Sequence, residues 1–132
     1  MIAVDSTVLA DWLFNGGALR DSAIRLQSLD PEWACLALVR YELGNVAWKL
    51  SRAGWLSIED VVLGWAALGV SGIKMVDEVG WPEVSALAQA KEISFYDAAH
   101  VWLAMSRGIP LYSRDRALRG KCPEVVRAMP GT

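Results

Sequence analysis

Short apolar runs alternate along this chain with longer stretches of helical periodicity. Ile2-Ala3-Val4 is an apolar run that suits a buried strand. Ser6 or Thr7 is placed to cap a helix running through about Phe14, and Asn15-Gly16-Gly17 ends it. A second helix is predicted over Ala18–Leu29, stopping near Asp30-Pro31, and a second strand over Trp33–Leu36. The segment Ala37–Ala53 is a long helix. Val39, Leu43, Val46, Ala47 and Leu50 line one face of it at helical spacing, and Gly54 closes it. Ser57 and Asp60 form a capping signal for a helix over residues 58–69. Ile73–Val76 is a third strand. Two helices follow, Trp81–Glu92 with Pro82 in its first turn, and Phe95–Arg107 ended by Gly108. Pro110-Leu111-Tyr112 reads as a strand, Arg114–Leu118 as a short helix and Glu124–Ala128 as an edge strand.

Strands separated by helices imply βαβ units and a mostly parallel sheet. Right-handed crossovers then put helices on both faces, which makes the expected class α/β. No repeat, linker or low-complexity stretch divides the chain, so residues 1–132 are expected to form one domain.

Composition narrows the class further. Apolar residues make up 54% and charged residues 21%, too hydrophobic for disorder and too charged for a membrane protein. The longest uncharged run, Val61 to Ile73, has thirteen residues, short of a membrane span. Met1 leads straight into Ile-Ala-Val-Asp with no signal-peptide core, so a cytoplasmic protein is expected. Cys35 and Cys122 offer neither a disulfide framework nor a zinc site. Of the seven tryptophans, most are expected in the core. The net charge of −2 hides an asymmetry: residues 107–132 carry +4 and the first 106 carry −6. Such a basic stretch on an acidic body suits a polyanion-binding edge, or equally a solvated surface.

Four acids break the apolar pattern. Asp5 follows the first strand directly, where open parallel sheets place their sites, although a helix cap would also use an aspartate there. Asp97 stands in the first turn of a helix that is apolar around most of its circumference. A carboxylate in such surroundings is costly unless paired, metal-bound or favoured by the helix dipole. Glu42 lies at the margin of its helix's apolar stripe. Asp115 follows the strand ending at Tyr112, and either it or Ser113 can cap the short helix. The fold gathers such positions at one sheet edge. Carboxylates brought together repel, and a hard cation such as Mg²⁺ or Mn²⁺ relieves that repulsion. His100 is the only histidine. It has no second histidine or cysteine at ligand spacing and is expected as a core or interface residue.

The chain resembles the PIN domains, and among them the VapC-type toxins of toxin–antitoxin pairs. The resemblance rests on Ile2-Ala3-Val4-Asp5-Ser6-Thr7-Val8-Leu9, Tyr41-Glu42-Leu43, Phe95-Tyr96-Asp97-Ala98-Ala99 with Leu103-Ala104, and Pro110-Leu111-Tyr112-Ser113-Arg114-Asp115, in that order along the chain. It implies a three-layer α/β/α fold with a five-stranded parallel sheet. It also implies a Mg²⁺- or Mn²⁺-dependent endoribonuclease, usually homodimeric and inhibited by a small antitoxin. Asp5, Glu42, Asp97 and Asp115 match the family's acidic quartet, with Asp5, Asp97 and Asp115 toward metal and Glu42 toward the attacking water or a second ion. Ser6 and Thr7 match the small hydroxyl residues after the first aspartate, and Ser113 the hydroxyl residue before the last. The implied products carry 5′-phosphate and 3′-hydroxyl ends. Arg114, Arg116 and Arg119 are candidates for RNA backbone contacts or for meeting the antitoxin. Tyr112 and the tryptophan content depart from the family pattern.

Three rivals stand beside this reading. A phosphorelay receiver wants paired acids after the first strand and a late lysine, whereas here Asp5 precedes Ser6 and the late strand runs into Ser113-Arg114. A non-catalytic PIN-like module that binds RNA or protein has no need of four acids. A PIN nuclease of RNA maturation, without an antitoxin, shares every motif.

Overall fold

The computed structural model describes residues 1–131. The first half of the chain forms β1 (Ile2–Val4), α1 (Ser6–Leu13), α2 (Gly17–Leu29), β2 (Trp33–Leu36), α3 (Val39–Arg52) and α4 (Ile58–Val70). The second half forms β3 (Lys74–Val76), α5 (Trp81–Lys91), α6 (Phe95–Arg107), β4 (Leu111–Tyr112), α7 (Arg116–Lys121) and β5 (Val126–Arg127).

All five strands join one parallel sheet in the order β3-β2-β1-β4-β5. The chain lays strands outward on one side of β1, then returns to build the other side. Successive side chains of a strand point to opposite faces, and the strands use both. Ile2, Val4, Trp33 and Cys35 face α1, α2, α3 and α4 in one core. Ala3 and Leu111 pack beneath α6 and α7 in a second. Leu36 meets α5 and α6 in a third. Reversing the direction of growth at β1 puts right-handed crossovers on opposite faces, which produces the expected three layers. Among the described residues, no helix is long and apolar enough to cross a membrane.

Local chemistry explains most boundaries. The stripe on α3 is buried at Val39, Leu43 and Ala47, and half-buried Val46 and Leu50 pack against the same core. Gly54 follows α3 with φ of +82°, a conformation that costs glycine little. Ser57 and Asp60 make a reciprocal capping box at α4. Two expectations are corrected. The cap of α1 is Asp5, not Ser6 or Thr7, because its carboxylate reaches the amides of Thr7 and Val8. The last helix runs over Arg116–Lys121, not Arg114–Leu118, because Asp115 holds the cap position and helical backbone begins after it.

Four of the seven tryptophans lie in or against the core, as expected, and three do not. Trp33 is buried and Trp12, Trp65 and Trp102 are half-buried, while Trp48, Trp55 and Trp81 are exposed. α4 has a similar character. It is strongly apolar, yet only Gly64 and Leu68 are buried, and Ile58, Val62, Leu63 and Val70 face outward.

Candidate active site

The direction of chain growth changes between β1 and β4. In open parallel sheets, ligands bind outside the carboxyl ends of the strands at such a switch point. Val4 pairs in register with Tyr112, so Asp5 and Ser113 leave the sheet side by side. Asp5 is 4% exposed. Its Oδ1 accepts from the Thr7 amide at 3.0 Å, the Thr7 hydroxyl at 2.5 Å and the Val8 amide at 3.4 Å. Asp115 repeats the arrangement at α7, its Oδ1 accepting from the Leu118 amide at 3.1 Å. Ser113 is fully buried, and its hydroxyl accepts from the Asp115 amide at 3.0 Å. Both aspartates are thus pinned through Oδ1 by helix N-termini.

Asp97 enters from the first turn of α6, which Ser94 caps. Burial raises its carboxyl above the usual carboxylate range, and the charges of Asp115 and Asp5 raise it further; His100 and the Ser94 hydroxyl pull the other way. Asp97 therefore shares an electrostatic field with acids from both neighbouring strand ends. Glu42 enters from the first turn of α3, and its Oε1 lies 2.8 Å from Nε2 of His100. His100 is buried as expected, but beside Glu42 rather than in a purely apolar setting. Burial opposes charge on this imidazole. The hydrogen bond to Glu42 and the charges of Asp5, Glu42 and Asp97 outweigh burial and raise its pKa.

A second network went unread in the sequence. Asp11 on α1 is 1% exposed and takes a two-pronged contact from Arg114, with Nε to Oδ2 at 2.7 Å and Nη2 to Oδ1 at 3.0 Å. Asn15 also donates to Asp11, at 2.8 Å. The Arg114 amide donates to the Thr7 hydroxyl at 2.9 Å. Thr7 therefore links Asp5 to the β4–α7 turn, whereas among the described residues no side-chain hydrogen bond forms at Ser6. The available signal was a lone acid within the otherwise uncharged α1.

The three candidate arginines divide in the same way. Arg114 is committed to Asp11, and Arg119 donates through Nη1 to the Ser113 carbonyl at 2.9 Å. Arg116 is exposed beside Asp115. Neither cysteine joins the acids. Both are free and buried, and burial pushes the Cys35 thiol up to about 12.

The arrangement is an open acidic edge. Among the described residues, no three carboxylate, thiolate or imidazole groups converge closely enough to make a ready-made metal cage. The hydrogen bonds at Asp5 and Asp115 all engage Oδ1, which leaves each Oδ2 clear of the capping bonds.

Comparison with known proteins gives this edge a family. The chain is 33% identical over 94 residues to the exonuclease VapC9 of Pyrobaculum aerophilum, an alignment covering 67% of this chain. That alignment spans 65% of the relative's own length. Ribonuclease VapC3 of the same organism is 31% identical over 132 residues, covering 95% of this chain and 97% of the relative. A solved protein of Pyrobaculum aerophilum superposes with a TM-score of 0.71 at 28% identity, covering 91% of this chain and 84% of that one. The model of the PIN domain matches residues 2–122. The chain belongs to the PIN domain family.

Proposed function

We propose that this chain is a metal-dependent endoribonuclease that acts as the toxin of a toxin–antitoxin pair. One observation carries the reading. Asp5 and Asp115, which follow adjacent strands, oppose with their charges the ionisation of Asp97 in the first turn of α6, and Glu42 in the first turn of α3 reaches His100 on that same helix. The names of the two relatives, an exonuclease and a ribonuclease, support nuclease chemistry.

The donor set fits a hard divalent cation. Asp5, Asp97 and Asp115 would hold Mg²⁺ or Mn²⁺ through carboxylate oxygens, the hard ligands such ions take. When bound, the ion supplies charge neutralisation for a phosphodiester and acidifies water. The chain's own groups do the rest. The capping bonds at the helix N-termini hold Asp5 and Asp115 oriented. Glu42 orients the attacking water from the α3 side. Ser113 fixes the turn that carries Asp115. Of the three arginines, Arg116 would meet the RNA backbone, a reading supported by its exposure and by the protein partners that Arg114 and Arg119 already have. The chain works in the cytoplasm, as a homodimer restrained by a small antitoxin; the outward apolar residues of α4 supply surface that a protein partner would cover.

The test is cleavage of a mixed single-stranded RNA, linear and circular, with Mg²⁺ or Mn²⁺, with EDTA, and with Asp5→Asn alongside. Asparagine keeps a capping oxygen, so the fold survives while the charge is lost. The expected result is metal-dependent cutting of both substrates, lowered at least about 100-fold in the variant. Cutting of linear RNA alone makes the enzyme an exonuclease. Absence of cutting, with no change in melting temperature on adding metal, replaces the nuclease by a non-catalytic binding module.

A further inference from the structure

We infer that His100 is a positioning residue that holds Glu42 in place for the reaction. The inference rests on the nuclease reading above. His100 lies on α6, one helical turn after Asp97, and is 2% exposed. Its Nε2 lies 2.8 Å from Oε1 of Glu42 on α3. The contact joins residues 58 apart in sequence, and it ties together the two helices that deliver Asp97 and Glu42 to the edge.

Glu42 needs such a tie. Its side chain has three rotatable bonds and stays about a quarter exposed, so on its own it samples many rotamers. A group that orients a water must already be in place when the substrate arrives, because misplacement by about 1 Å can cost on the order of 100-fold in rate. The imidazole is rigid, its ring is locked by burial, and Nε2–H donates to a carboxylate oxygen.

The other ring nitrogen supports the same reading. Nδ1 of His100 is buried and, among the described residues, has no hydrogen-bond partner. A buried unpaired nitrogen is destabilising, and a leucine or phenylalanine of similar volume would fill the space without that cost. Packing therefore does not explain a histidine here; the bond from Nε2 to Glu42 does.

The experiment uses the full chain with a fluorogenic single-stranded RNA and Mn²⁺. His100→Leu keeps volume and removes the bond. His100→Gln places an amide donor near Nε2, and His100→Asn carries the same group on a shorter arm. His100→Leu is expected to lower kcat about 10–100-fold with KM within about twofold. His100→Gln should recover most of that loss and His100→Asn should not. In a Glu42→Ala background, where the acceptor is gone, His100→Leu should cost nothing more. Separately, in metal-free protein without RNA, the Tm changes of His100→Leu and Glu42→Ala should fail to add, because both remove one contact.

Wild-type protein that cuts, with His100→Leu cutting equally well, overturns the inference and leaves the nuclease standing. So do an equal His100→Leu loss in the Glu42→Ala background and strictly additive Tm changes. If His100→Leu does not fold, Gln and Asn variants of equal activity overturn it. Wild-type protein that cuts no RNA overturns the nuclease reading, and the inference with it.

Discussion

Asp97 stands at the candidate edge against the fold's interest, and a single substitution exposes the conflict. Asp97 is held above the usual carboxylate range by burial and by Asp115 and Asp5, so its charge destabilises the folded chain. Asp97→Asn is expected to abolish cleavage while raising the melting temperature by a few degrees near neutral pH. The sign follows from linkage. A raised carboxyl binds its proton more tightly when folded, so wild-type stability falls as pH rises from the ordinary carboxylate value through the raised one. The advantage of the variant should therefore vanish in acid, and melting curves across pH test this. The Asp11–Arg114 pair makes the opposite case. Arg114→Ala strands a carboxylate that is 1% exposed, at an expected cost of about 2–4 kcal/mol, with Asn15 a partial remedy. Asp11→Ala strands only a guanidinium that is 41% exposed and screened by water, so about 1–2 kcal/mol is expected. Urea titration of both variants tests the order. The quartet was legible because each acid interrupts an apolar stretch or follows a strand. The partners were not, because Asp11 meets Arg114 across 103 residues and Glu42 meets His100 across 58. Only the folded register brings them within reach.

Elements were legible where local chemistry alone decides them. The capping box at Ser57 and the apolar stripe of α3 involve residues within a few turns of one another. The start of α7 depends on which of Ser113 and Asp115 takes the cap, and tertiary packing chooses by burying Ser113 in the turn. Composition misleads for α4, whose sequence reads as core although its packing against α1 runs through a small patch. Gly64 sits there, and a Cβ at that position would lie 2.3 Å from a ring carbon of Phe14. Phe14 is itself buried against Trp65, so the ring has little room to yield. Gly64→Ala is expected to cost about 1–3 kcal/mol despite alanine's higher helix propensity. Gly69, on the same helix, faces open space. Gly69→Ala is expected to stabilise by about 0.5–1 kcal/mol. Thermal denaturation of the two variants side by side separates packing from propensity.

At the scale of the whole molecule, alternation of strands and helices was enough to read the class and the three layers, but not the strand order. Which side of β1 receives β4 depends on crossover geometry and on both faces being covered, properties no local window contains. The chain's last turn shows how global the arrangement is. After β5 on one flank, Met129 packs into the core shared by α1, α2 and α3, and the Ser22 hydroxyl donates to the Pro130 carbonyl. Deleting residues 129–132 is expected to cost about 1.5–3 kcal/mol from lost methionine burial, read as a lower denaturation midpoint.

The placement of β1 between β2 and β4 also sets a schedule for biogenesis. Translation delivers the chain N-terminus first, at about 5–20 residues per second. Asp5 emerges early, on a strand whose β2 partner soon follows. The other flank of β1 stays bare until residues 111 and 112 arrive, and Asp115 comes after them. A nascent chain therefore holds three of the four acids without the strand that closes the edge. If the edge cuts RNA, a nascent chain cannot cut the message it is made from before β4 and Asp115 have emerged.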